Sequence, residues 1–275
     1  MKKANPRAII LKLLLAAEGK EMSARDAVAG CALFGIGENS ARVTLVRLAS
    51  EQMIEAAGRG AYRLGPQATS LASEVATWRN AEQRVRTWKG DWLAAHTGAM
   101  KRADRTALRA RQRALELVGL RELHRDLYLR PNNLAGGVAV MRERLEKLDR
   151  AFDAPVFVVR DLDSAREKRA RSLWNGRALT LLYATTRRKL EAWLERAPEL
   201  ELENAARESY LLGDKAIRQI VFDPLLPEPL VDVGERRAFH EAVLRFDRTG
   251  HAIWRSFTAT RQRLASAPSH SEATH

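Results

Sequence analysis

The chain has 275 residues and a mass of 30.9 kDa, enough for two or three modest domains of about 100–150 residues each. Forty-seven lysines and arginines against 34 acidic residues give a formal charge of +13 and a pI near 10.4, so a polyanion, nucleic acid first, is the expected partner; an anionic small molecule such as a phosphate-bearing thioester is also compatible. One cysteine, Cys31, excludes an intrachain disulfide and a thiolate-rich zinc site, and no apolar run approaches the roughly 20 residues of a membrane-spanning helix.

Pro6 suits the first turn of a helix, and Ile9, Leu13 and Ala16 with Ile10, Leu14 and Ala17 give that helix a broad apolar face up to Glu18-Gly19-Lys20. Met1-Lys2-Lys3 followed by this apolar stretch imitates a signal peptide. Lys12 interrupts the apolar region, and a basic chain poor in cysteine is expected in the cytoplasm. A second helix starts at Ser23, with Ser23 as N-cap and Asp26 at the third position as a short capping box. It runs into the apolar segment Ala27–Phe34, where Cys31 is expected as a packed core thiol.

Gly35–Leu64 reads as a third helix followed by a two-stranded hairpin. Gly37 serves as N-cap, Glu38 meets the positive end of the helix dipole, and Ala41, Leu45, Leu48 and Ala49 form the buried stripe. The opposite face carries Asn39, Ser40, Arg42, Val43, Val46 and Arg47, a mixture of donors and small apolar groups suited to base edges, phosphates and thymine methyls in a major groove. Met53–Ala56 and Ala61–Leu64 flank Gly58-Arg59-Gly60, a turn with glycines where positive φ is needed, so Arg59 and Arg63 are expected at backbone phosphates or in a minor groove. The expected module is a winged helix-turn-helix over residues 1–66. A small helical subdomain whose hairpin packs on a partner protein is the bland alternative.

Gly65-Pro66 breaks the pattern, and a connecting helix is expected over 67–87. Ten basic residues between Arg79 and Arg113 face only Glu82, Asp91 and Asp104, either an extension of the phosphate-contacting surface or a solvated face. The next part alternates strands near 91–97, 126–130 and 155–160 with helices over 104–118 and 137–149, the pattern of an α+β layer of ferredoxin-like type over 88–170. Gly136-Gly137 is read as part of a turn, since two glycines without the rest of a phosphate-loop fingerprint are weak evidence for a phosphate cradle. Helices are expected over 177–196, 199–222 and 235–257 within a C-terminal helical domain at 171–264, with Asp223–Leu230 as a proline-punctuated connector and 265–275 as a disordered tail.

With these modules in place, the chain resembles the PaaX-type family of bacterial transcriptional repressors, named for control of phenylacetic acid degradation. Four segments carry the resemblance: ARVTLVRL at Ala41–Leu48, WKGDW at Trp88–Trp92, DLYLRPNN at Asp126–Asn133, and DPLLPEPL at Asp223–Leu230. Their order and spacing agree from about Pro6 to Phe257, while Gln52 and Gly37 depart from the family's usual glycine and serine. The resemblance implies a homodimer that binds double-stranded operator DNA, a middle domain similar to small CRISPR-associated endoribonucleases, and repression relieved by an aryl-CoA thioester such as phenylacetyl-CoA. The acyl or aryl part of that effector is expected on Trp174, Tyr183, Trp193 or Trp254.

Catalytic signatures are sparse. The six histidines form no HExxH, and His240-Glu241 with Asp247 and His251 reads as a solvated or ion-paired helix face rather than a metal site. No GxSxG elbow or oriented Cys/His pair occurs. No catalytic residue, metal site or cofactor is expected. The enzyme alternative is a metal-dependent nuclease or RNA-processing protein, with Asp91 on the first ferredoxin-like strand as its metal-binding acid.

Overall fold

The computed structural model describes residues 5–17, 19, 21–66, 68, 77–100 and 105–266. The backbone divides into two compact units, one from 1–77, 193–213 and 245–275, the other from 78–192 and 214–244.

The first unit begins with α1 (Pro6–Ala16), capped by the Asn5 side chain, which accepts a hydrogen bond from the Arg7 N–H at 3.0 Å. The two-residue strand β1 (Met22–Ser23) leads directly into α2 (Ala24–Ala32), and Ser23 caps it by accepting from the Asp26 N–H at 3.0 Å. Helix α3 (Glu38–Ser50) follows, then β2 (Ile54–Gly58) and β3 (Ala61–Leu64). The sheet order is β1-β3-β2, all antiparallel, with Met22 opposite Tyr62 and Ile54 opposite Leu64. Gly58 and Gly60 hold φ of 147° and 73° around Arg59, which is why glycine occupies both positions.

The three helices share a core of Ile9, Ile10, Leu14, Ala27, Cys31, Ala41, Leu45 and Leu48, closed by Ile54 of the hairpin and by Ala206, Trp254 and Phe257 from later helices of the same unit. Ala49, expected in the buried stripe of α3, is exposed; Ala41, Leu45 and Leu48 follow i, i+4, i+7 spacing, and Ala49 falls past the edge of that face.

Cys31 is fully buried, and burial pushes its thiol up from 9.0 to about 11. The folded chain holds this proton more tightly than the unfolded one. The resulting stabilisation is whole below pH 9 and fades as pH rises from 9 to about 11. Native protein at pH 8 is therefore expected to resist Ellman's reagent until denaturant is added, and rapid labelling of the folded chain would contradict the buried placement.

Two 3-10 turns, Thr77–Asn80 across the boundary and Glu82–Arg84 within the second unit, stand where a continuous connecting helix was expected to run. Trp78 is buried by the first of these turns, and Val85 is already extended and bridged to Leu134, so the backbone leaves the helical region there. The remainder of the expected connecting helix, residues 67 and 69–76, lies outside the described residues, as do residues 1–4 of the leader-like N-terminus and residues 101–104, which include Lys101 and Arg102 of the basic run.

Then come β4 (Trp92–His96), α4 (Arg105–Leu117), β5 (Arg121–His124), β6 (Leu127–Pro131), α5 (Gly137–Leu148) and β7 (Val156–Val159). The sheet order is β5-β6-β4-β7, and every pair is antiparallel. The connectivity is β-α-β-β-α-β. Leu93 and Ala95 of β4 pack with Ala114, Leu115, Met141 and Leu145 of the two helices. Trp92, on the other side of the same strand, stacks on Trp174 at 6.3 Å and donates through Nε1 to Glu167 at 2.8 Å.

A short helix α6 (Ser164–Arg171), unexpected from the sequence, starts where Asp163 accepts from the Arg166 N–H at 2.9 Å. Helices α7 (Gly176–Arg196), α8 (Leu202–Val221) and α9 (Val233–Ser266) follow. Gly176 abuts the Leu230 carbonyl so closely that a Cβ would overlap it. Helix α9 extends through residue 266, two residues into the expected disordered tail. Arg263 in its last turn favours the negative end of the helix dipole there, and 267–275 lie outside the described residues.

Candidate nucleic-acid interface

Helix α3 buries one face and leaves Asn39, Ser40, Arg42, Val43, Val46 and Arg47 on the other, all exposed. Val46 is 67% exposed and Val43 42%, an apolar pair one turn apart set between guanidiniums. Arg42 is steadied by Glu38, with Nη2–Oε1 at 2.7 Å, and the Thr44 hydroxyl donates to the Ser40 carbonyl at 2.7 Å. In the hairpin, Arg63 pairs across the strands with Glu55 at 2.6 Å, and Arg59 stands exposed at the tip. Exposed pairs of this kind contribute about 0.2–1 kcal/mol, so they orient the guanidiniums without committing them, and a phosphate can displace the carboxylate.

The seven residues expected at DNA thus lie on two neighbouring elements of one unit, α3 and the β2–β3 hairpin. The four aromatics expected at an effector are divided between the two units. Trp174 stacks on Trp92, and Tyr183 stacks on Phe239 at 5.7 Å, both in the second unit. Trp193 packs on Phe246 at 4.7 Å and donates to Glu208 at 2.9 Å, while Trp254 lies in the core beneath α1–α3, both in the first unit. All four are at most 9% exposed. Burial beside Asp223 raises the Tyr183 hydroxyl far above its usual value, as befits a closed site.

The WKGDW segment is a structural knot. Trp88 donates to the Asp91 carbonyl at 2.6 Å and meets Trp92 edge-on at 5.1 Å, with Gly90 at φ 86° making the reversal. The Asp91 carboxylate accepts from Asn132 at 2.8 Å and faces Arg160 at 3.9 Å. His240 bonds through Nε2 to the Trp78 carbonyl at 2.9 Å, and His251 faces Asp247 at 3.6 Å. Among the described residues, no three His, Cys, Asp or Glu side chains converge as metal ligands.

Two segments far apart in sequence meet through one buried arginine. Arg130, 2% exposed, donates to the Val118 carbonyl, to the Pro131 carbonyl at 3.2 Å, to Asn133 Oδ1 at 3.1 Å and to the Pro224 carbonyl at 3.1 Å. Asn133 in turn donates to the Leu225 carbonyl at 2.7 Å. Arg130 also lines a small cleft of about 30 Å³, in company with Arg84 and Arg144. Sequence gave no signal for that convergence, since the three arginines lie 46 and 14 positions apart on different elements.

Residues 174–256 match the family model for the PaaX-like protein C-terminal domain. Among solved structures, an uncharacterized protein, Rv0674 from Mycobacterium tuberculosis, is similar at a TM-score of 0.61 and 21% identity, covering 90% of this chain and 98% of that one, which shows a shared fold. No curated protein matches the chain.

Proposed function

We propose that this chain, which carries a PaaX-like C-terminal domain, is a ligand-responsive transcriptional regulator that binds operator DNA as a homodimer and represses an aromatic-acid catabolic operon. The observation that carries the reading is the outer face of α3. It presents Asn39, Ser40, Arg42 and Arg47 with the exposed pair Val43 and Val46, beside a hairpin whose tip is Arg59. Exposed valines set among donors suit contact with thymine methyls in a major groove.

In this reading α1–α3 and the β2–β3 hairpin form a winged helix-turn-helix over residues 1–66, with Arg59 and Arg63 as wing contacts. Residues 67–87 connect it to a ferredoxin-like dimerisation domain at 88–170, a reading that the β-α-β-β-α-β order and the β5-β6-β4-β7 sheet support. Residues 171–264 form the helical domain. Two copies of α3 in successive major grooves give half-sites about one helical turn, or a multiple of it, apart.

An aryl-CoA thioester is the proposed effector, lowering affinity by favouring a dimer geometry mismatched to the operator. The test is a mobility shift of duplex DNA from upstream of the coding region, with and without phenylacetyl-CoA. Retardation that the thioester reverses is expected. Retardation untouched by any aryl-CoA would remove the effector and keep the regulator, and no specific retardation would remove both.

A further inference from the structure

Helix α4 turns one side inward and leaves the other to arginine. Ala114 and Leu115 pack with Leu93 and Ala95 of β4, and Arg111, 9% exposed, falls on the same inner side. Opposite that side stand Arg105, Arg109 and Arg113, at i, i+4 and i+8, all exposed. With a helical rise of about 1.5 Å per residue, the three make a ridge about 12 Å long.

The ridge has no carboxylate of its own. Among the described residues, no ion pair or hydrogen bond engages the side chain of Arg105, Arg109 or Arg113. The one acid of α4, Glu116, accepts from Gln112 Nε2 at 2.9 Å and faces Arg121 at 3.8 Å. Other helices of this chain place an acid one turn from an exposed arginine, as Glu38 meets Arg42 on α3 at 2.7 Å and Glu167 meets Arg171 on α6 at 2.7 Å. Such pairs stabilise a helix, whereas successive like charges at i, i+4 weaken it. The row on α4 therefore works against the helix and in favour of a partner that presents negative charge in a line. Duplex DNA does so, with one phosphate charge per about 1.7 Å of its axis.

We propose that Arg105, Arg109 and Arg113 form a second DNA-contacting surface, which holds duplex phosphates without regard to base sequence. The proposal rests on the regulator reading for its ligand and on the α4 ridge for its residues. The face of α3 mixes valines with donors and is suited to base edges; the α4 ridge offers charge alone and adds affinity rather than selectivity.

The test is the salt dependence of binding, by the full chain, to its upstream duplex and to an unrelated duplex of equal length. Each phosphate-bound cation contributes about 0.9 to the slope of log affinity against log salt, so the triple variant Arg105→Gln, Arg109→Gln, Arg113→Gln is expected to be shallower by about 2.7 on both duplexes. Its preference for the upstream duplex is expected to persist. Arg105→Lys, Arg109→Lys and Arg113→Lys together are expected to keep the wild-type slope, because counterion release follows charge. A control that removes equal charge from exposed positions of α7, Arg177→Gln, Arg188→Gln and Lys189→Gln, is expected to keep it as well. Unfolding midpoints are expected to stay unchanged throughout, since every altered side chain is exposed. A wild-type slope in the α4 glutamine variant, an equal change in the α7 control, or a loss confined to the upstream duplex overturns the ridge. Upstream preference with a wild-type slope in the α4 variant removes the ridge and leaves the regulator. Binding without preference, whose slope falls only in the α4 variant, keeps the ridge and removes the operator reading; binding to single-stranded RNA and to no duplex removes both.

Discussion

Glu82→Leu is expected to destabilise the second unit by about 3–5 kcal/mol. Arg236 is 1% exposed and is gripped by Glu82 through Nε–Oε1 at 2.7 Å and Nη2–Oε2 at 3.1 Å, with its remaining nitrogen donating to the Leu226 carbonyl. Burial works against that charge, and the hydrogen bonds and charge of Glu82 more than offset it, so the guanidinium pKa is raised. Removing Glu82 strands a buried cation. Arg236→Met is expected to cost less, because Glu82 keeps 18% exposure and has Arg237 at 3.7 Å. The double variant should lose less than the sum of the two. Urea unfolding of the full chain reads all three midpoints. A loss below about 1 kcal/mol for Glu82→Leu would mean that the pair behaves like a surface ion pair.

Arg47→Glu is expected to lower affinity for the chain's own upstream DNA by about 100-fold or more, through loss of a groove or phosphate contact and new repulsion of the backbone. Arg47 is exposed on α3, so the unfolding midpoint should not move. Arg188→Glu, an exposed arginine of α7, changes the net charge equally and serves as control. Fluorescence anisotropy of a labelled duplex compares the two. Equal losses would show that bulk charge, rather than the face of α3, carries the binding.

Parts of this architecture were written locally and parts were not. Ser23 with Asp26, and Gly37 with Glu38, are starts that a few residues specify, and both helices begin where those residues indicate. β5 was hidden because only Leu123 of Arg121–His124 is buried, so a short edge strand carries no alternating signal. α6, SAREKRAR, buries only Ala170, and a helix so polar is fixed by its Asp163 cap and its neighbours rather than by periodicity. β1 is two residues long and exists because Met22 and Ser23 fall opposite Tyr62 and Ala61.

The candidate DNA face was legible for the reason that α3 was: a helix with one known buried side has a known outer side. Depth within the core was not. Trp174, Tyr183, Trp193 and Trp254 are large aromatics, but the sequence does not state what each touches, and all four are buried against other rings. The arginine cleft was hidden for the converse reason. Its members are joined by the bridge between Val85 and Leu134, by the Ala135 N–H donating to the Arg84 carbonyl and by the seating of α5 on the sheet, relations between elements rather than within them.

Reading of duplex DNA through α3 is tested by titrating the chain's own upstream duplex and an unrelated duplex of equal length at salt concentrations from about 50 to 200 mM. Preference for the upstream duplex is expected at every salt, with affinity falling about 10³-fold or more across that range as phosphate contacts release counterions. Affinity that is flat in salt, or identical for the two duplexes, would contradict it.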